Sequence, residues 1–131
     1  MALVSVTRLH LRASRFLLPF SWYVAGSARQ ARRAAGNLGV QLRETKGLAF
    51  CTLTMWQDEA AMKTFRGNSP HREAMQKLAG WCDEASFAHW EQDSTAWPSW
   101  DYASEQLRSS GRLSKVLHPS ENHNAGRIVT N

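Results

Sequence analysis

The segment Leu3–Leu11 alternates apolar with polar side chains and carries β-branched Val4 and Val6 near its start, the pattern of a half-buried strand. Pro19 then suits the first turn of a helix, where its missing N–H is not needed. That helix is predicted from about Pro19 to Ala35, with Gly36-Asn37 as its stop signal. Leu38–Glu44 reads as a second, weaker strand, and Thr45-Lys46-Gly47 as the tight turn that follows. Leu48–Trp56 (LAFCTLTMW) is the strongest strand signal in the chain. Asp58 is placed to cap a helix over Glu59–Phe65, its side-chain oxygen accepting from the free N–H groups of the first turn. Gly67-Asn68-Ser69-Pro70 breaks this helix; a second short one covers Pro70–Leu78 and ends at Gly80, and Glu84–Gln92 forms a fourth strand.

The order β-α-β-β-α-β is the split βαβ signature of a ferredoxin-like α+β fold, a four-stranded antiparallel sheet in the order 4-1-3-2 with helices on one face. Residues 1–93 form this domain. Residues 94–131 read as a C-terminal helix and extended tail packing on it. Ser99 caps the helix, which runs through Trp100, Ala103 and Leu107 to Gly111, and from Arg112 the chain is an extended strap that frays into a tail.

The third strand adds a constraint. Leu48, Phe50, Thr52, Thr54 and Trp56 point one way, Ala49, Cys51, Leu53 and Met55 the other, and both sets are largely apolar. Helices on one face only call for a polar opposite face. Two arrangements resolve the conflict: a second copy packed sheet to sheet, giving a homodimer with a shared apolar interior, or the C-terminal segment covering that face within one chain. The sequence reading favours the homodimer.

Composition narrows the function classes. The chain has 131 residues, 43% hydrophobic and 21% charged, ordinary values for a globular domain. No apolar run approaches the ~18 residues of a membrane span, and the N-terminus has no basic leader before its apolar residues, so a cytoplasmic protein with no membrane partner is expected. The net charge of +5 is mild and the arginines are scattered apart from Arg29, Arg32 and Arg33, which read as a solvated helix face; no nucleic-acid-binding motif is present. Six tryptophans supply large apolar area.

The two cysteines read as free, buried thiols, because the strand order separates Cys51 and Cys82 by two strand spacings. Of the five histidines none has metal-ligand spacing, so no metal site is expected. His71 is the most suggestive: it opens a helix, where the dipole opposes protonation and favours the neutral imidazole a general base requires. Arg72 beside it is a candidate anchor for an anionic group. Trp56, at the exit of the third strand, reads first as core packing and second as a substrate platform. His89 on the fourth strand reads first as a structural histidine and second as a lining residue.

The run Phe50-Cys51-Thr52-Leu53-Thr54-Met55-Trp56-Gln57-Asp58-Glu59-Ala60-Ala61-Met62, then Phe65 and Ser69-Pro70-His71-Arg72-Glu73-Ala74-Met75, resembles the antibiotic-biosynthesis-monooxygenase-like family of small dimeric α+β barrels. The resemblance spans about Leu3 to Trp90. Trp81-Cys82-Asp83-Glu84-Ala85-Ser86, His89-Trp90 and Gly111-Arg112 are similar to an uncharacterised, spheroidene-monooxygenase-like branch. The resemblance implies a homodimer with an apolar pocket for a small apolar or aromatic ligand. It implies oxygenation of an electron-rich organic substrate without a cofactor, with His71 as base, Arg72 as anion anchor, and Trp56 and His89 lining the pocket. The alternative is a non-catalytic domain that binds a small ligand or a partner. The haem-degrading members use an Asn, a Trp and an axial His. The matching positions here are Thr7, Phe65 and Met75, so that activity and its haem are not carried over.

Overall fold

The structure, a computed structural model, describes residues 2–45 and 47–130, the side chains of residues 69 and 70 excepted. Lys46, within the predicted turn, lies outside the described residues, as do Met1 and Asn131. Strand β1 (Ala2–Leu11) passes through a short 3-10 turn at Ser14–Phe16 into α1 (Leu17–Arg33). There follow β2 (Asn37–Glu44), β3 (Ala49–Trp56), α2 (Glu59–Arg66), α3 (Ser69–Trp81), β4 (Cys82–Gln92), α4 (Trp100–Ser110), β5 (Arg112–Leu113) and α5 (Glu121–Asn124). The sheet order is β2-β3-β1-β4-β5 and every pairing is antiparallel. This is the ferredoxin-like α+β arrangement expected from the sequence, with one strand more than the predicted four. The extra strand pairs Arg112 and Leu113 with Phe87 and Ser86, covering part of an edge that β4 would otherwise leave open.

Local chemistry accounts for most element ends. The Asp58 carboxylate accepts from the Ala61 N–H at 2.8 Å and the Ser99 hydroxyl from the Tyr102 N–H at 3.1 Å, fixing the starts of α2 and α4. Gly36, at φ +84°, turns the chain from α1 into β2 close against α2. Helix α3 departs from expectation, running through Gly80 to Trp81. Its last carbonyls find tertiary partners: Leu117 N–H donates to Ala79, Arg12 Nε to Gly80 and Arg12 N–H to Trp81, at 2.8–2.9 Å. The glycine stop is therefore not used.

The two faces of the sheet are covered differently. On one, Leu3 and Trp56 pack with Ala31, Met62 and Phe65, and Leu9 and Leu11 with Phe20 and Leu78, beneath α1, α2 and α3. On the other, Val4, Val6, Leu53 and Met55 are almost wholly buried, packed with Ala103 and Leu107 of α4. Trp97, Trp100 and Ile128 extend that cover. The apolar reverse face is thus closed by the chain's own C-terminal segment, the second of the two arrangements considered, and the argument that called for a second copy falls away.

Nor does the segment fray. Gly39 sits at a β-bulge with φ +157°, and a Cβ there would lie 2.6 Å from the Trp97 ring, so a glycine lets the tryptophan approach β2 closely. Farther on, Ser120 N–H donates to the Asp83 carbonyl at 2.9 Å, and the Ser120 hydroxyl accepts from His123 N–H at 3.1 Å to cap α5.

Candidate functional site

Between the helices and the sheet lies a cavity of about 190 Å³. Its floor is a pair of cross-strand rows set by the register. One runs Val40, Thr54, Ser5; the other runs Leu42, Thr52, Thr7, Phe87. Four hydroxyl side chains on the two central strands therefore face the helices at a place where a simple two-layer domain would put aliphatic side chains. The reverse face is closed by apolar packing under α4, whereas on the helix side the two apolar clusters flank a cavity with a partly polar floor. Tyr23, Val24 and Ser27 of α1 form one wall, Met62 and Phe65 of α2 another, and His71 and Met75 of α3 a third.

Trp56 is 1% exposed and belongs to the core beside Leu3 and Met62, yet it also lines the cavity. Its indole N–H donates to Thr54 Oγ1 at 3.0 Å, which fixes both groups at the edge of the floor. The Trp56 and Phe65 rings lie 5.2 Å apart and the Phe65 and His71 rings 4.6 Å apart, so an aromatic wall ends in the imidazole.

His71 occupies the first turn of α3 and lines the cavity. Burial pushes its pKa below the usual histidine value; the Arg66 backbone, as a hydrogen-bonding group, opposes this, and the Arg66 charge adds a smaller lowering effect. Its Nδ1 is buried and has no hydrogen-bond partner. An imidazole held neutral at a cavity, with one nitrogen unengaged, can accept a proton from a bound molecule.

Arg72, one residue on, is exposed and stands outside the lining, because a step of about 100° around the helix turns it to solvent. The cation at the cavity is Arg66, at the end of α2, its guanidinium 5.9 Å from the centre of the Phe87 ring. The sequence reading missed it; the available signal was its i+4 spacing from Met62, which puts both on one helix face. His89 pairs with Ser5 and so lies on the cavity's face of the sheet, but it is exposed, past the lining. Thr7, Phe65 and Met75, picked out as the positions of a haem-binding pattern, all line the cavity. They do not supply that pattern's Asn, Trp and His. Among the described residues no three His, Cys, Asp or Glu side chains converge as metal ligands, and no helix is long and apolar enough to cross a membrane.

Comparison with known proteins agrees with this geometry. Residues 23–77 match the family model described as antibiotic biosynthesis monooxygenase. Among curated proteins nothing matches. Solved structures with the same fold include the cofactor-independent oxygenase SnoaB from Streptomyces nogalater, at 16% identity and TM-score 0.60 over 72% of this chain and 95% of that one. They also include Rv0793 from Mycobacterium tuberculosis, at 11% identity and TM-score 0.66 over 73% of this chain and 100% of that one. A conserved protein from Methanosarcina mazei is similar at 12% identity and TM-score 0.65, over 71% and 94%. The matched segment, less than half of the chain, contains α2, most of α1 and α3 and the β3 floor; over it the chain is similar to the antibiotic biosynthesis monooxygenases, and the solved structures share its α+β fold.

Proposed function

We propose that this protein oxygenates a small, electron-rich organic substrate in the helix–sheet cavity, with no cofactor of its own. The observation that carries the reading is His71, neutral and with an unengaged Nδ1 at the end of an aromatic wall. The cofactor-independent oxygenase SnoaB, which shares the fold, supports it.

A substrate with an acidic C–H, such as a phenol tautomer or a 1,3-dicarbonyl, gives up a proton to His71 and becomes an enolate. Arg66 at the cavity takes the anchoring role that the sequence assigned to Arg72. The enolate passes one electron to O₂; the substrate radical and superoxide recombine through a C–O bond to a peroxide. Loss of water, with the proton returned from His71, leaves a carbonyl. A CH₂ becomes C=O, one oxygen atom of O₂ enters the product and the other leaves as water, so the substrate supplies all four electrons. The Ser5, Thr7, Thr52 and Thr54 hydroxyls orient the polar edge of the substrate against the floor.

The test is O₂ uptake with a panel of small phenols and 1,3-dicarbonyls, followed by ¹⁸O₂ labelling of the product. The expected result is one labelled oxygen per turnover, lost in His71→Ala and reduced in Arg66→Ala but not in Arg72→Ala. Binding of the same compounds without O₂ uptake would favour the non-catalytic reading. One specific observation gives that reading weight: His71, Arg66 and Tyr23 are the only ionisable side chains among the lining residues.

A further inference from the structure

The positive charge of this chain is not evenly distributed. Residues 1–43 contain seven arginines and no Asp or Glu, a charge of +7, whereas the rest carries nine basic and eleven acidic residues, or −2. Helix α1 lies in the basic third, and its outward face divides into two halves. Leu18 and Trp22, one turn apart, are 84% and 79% exposed, the most exposed large apolar side chains among the described residues. Ala25 continues the stripe, which then becomes Arg29 and Arg32; at 100° per residue all five fall within about 80° of arc. Arg15, also exposed, stands just before Leu18. The inward face, with Phe20, Ala28 and Ala31, is buried in the domain, so the outward stripe plays no part in the core.

Beside the basic half is a shallow surface depression lined by Gly26, Arg29, Gln30, Arg33, Ala34 and Asn68. The Gln30 side-chain Nε2 is buried there without a hydrogen-bond partner. Two guanidinium groups and an amide donor suit a phosphate oxygen cluster. Trp22 and Arg29 are about 10 Å apart along the helix, so an apolar anchor and a headgroup site lie side by side.

We propose that the outer face of α1 docks on an anionic phospholipid surface, with Leu18 and Trp22 entering the headgroup boundary and Arg29, Gln30 and Arg33 binding lipid phosphate. An exposed Leu–Trp pair continuous with arginines and free of acidic neighbours in sequence is the chemistry of an interfacial helix face. A nucleic acid would account for the arginines and leave Leu18 facing water. A second copy of this chain would bring like charge to like charge. This proposal stands apart from the oxygenase reading and holds whether or not the cavity turns over a substrate.

The experiment is co-sedimentation of the full chain with vesicles of phosphatidylglycerol and phosphatidylcholine, against vesicles of phosphatidylcholine alone, at low and high salt. Binding to the anionic vesicles is expected to exceed binding to neutral ones by about tenfold and to fall with salt. The double variant Leu18→Ser with Trp22→Ser, and separately Arg29→Glu with Arg32→Glu, should each cut it about fivefold or more while circular dichroism stays unchanged, all four side chains being exposed. Equal binding to both vesicles, or to neither, overturns the proposal. So does duplex DNA binding that ignores the Leu18/Trp22 change, or a self-association that this change abolishes without any vesicle binding.

Discussion

Arg8 on β1 and Glu84 on β4 form an ion pair at 2.8 Å, with the Arg8 side chain 4% exposed, and the second Glu84 oxygen accepts from the Ser120 hydroxyl at 2.8 Å. The pair lies on the reverse face of the sheet, where His10 Nδ1 and Asp83 Oδ1 approach to 2.6 Å. A polar lock between β1 and β4 therefore holds the C-terminal strap in place at one end of the face, while α4 seals the rest with apolar contacts.

Burial raises the Glu84 pKa, but hydrogen bonds from Arg8 and Ser120 and the charges of Arg8 and His10 outweigh it and hold the carboxyl below its usual value. A depressed carboxylate contributes stability that is complete above the unfolded value near about 4.3 and lost as pH falls through the folded value. Glu84→Gln should lower stability at neutral pH by about 1–3 kcal/mol and flatten the acid limb of the stability curve, as read by urea titrations from neutral pH downward. An acid limb identical to that of the parent would show that the lock does not anchor the strap.

Leu107 is 1% exposed between α4 and the reverse face of the sheet. Leu107→Ala should cost about 2–5 kcal/mol in chemical denaturation, the range for a large-to-small change in a core that cannot collapse. Removing residues 97–131 uncovers Val4, Val6, Leu53 and Met55 together, and the truncated chain should form larger species in sedimentation velocity than the full chain does at the same concentration.

Gly39 and Trp97 form a matched pair. Gly39→Ala meets both the positive φ and the indole, and should destabilise by about 1–3 kcal/mol. Combining it with Trp97→Ala should remove the steric part only, so the double variant costs less than the two single changes added together. Strict additivity in the double-mutant cycle would separate the two residues.

His71 must be neutral to act as a base. With its pKa lowered by burial, turnover should stay level through the ordinary histidine range near about 6.5 and fall only at lower pH. The same shift makes His71 a source of acid sensitivity: the unfolded chain takes up the proton first, so stability drops as pH falls from about 6.5 towards the folded value and levels off below it. In His71→Gln turnover should be lost and this part of the stability curve should disappear.

Burial pushes the Cys82 thiol up to about 12, the Asp83 charge adding to the effect, and burial also raises Cys51 despite the nearby Arg8 and Arg43 charges. Neither should react with a disulfide reagent in the folded chain at neutral pH, and both should react after unfolding in urea. A fast-reacting thiol in the folded protein would contradict the packing around β3 and β4.

The sequence by itself determined the elements whose causes are local. Alternation drew β1, the strand-forming run LAFCTLTMW drew β3, Asp58 and Ser99 announced two helix starts that their side chains do cap, and the resemblance carried by the segment around Phe50–Met75 agrees with the match over residues 23–77. Trp56 and His71, named from the sequence, both line the cavity. Tertiary structure decided what depends on distant partners. Gly80 fails to stop α3 because Arg12 and Leu117 satisfy its last carbonyls, and Arg66 rather than Arg72 reaches the cavity because it shares a face of α2 with Met62 on the cavity wall, while Arg72 is exposed and outside the lining. Above all, the two apolar faces of β3 were legible in its residues, but not what covers them. Hydrophobic burial is non-directional and fits a second copy or the chain's own strap equally well, and only the Arg8–Glu84–Ser120 lock and the close fit of Trp97 on Gly39 select the strap.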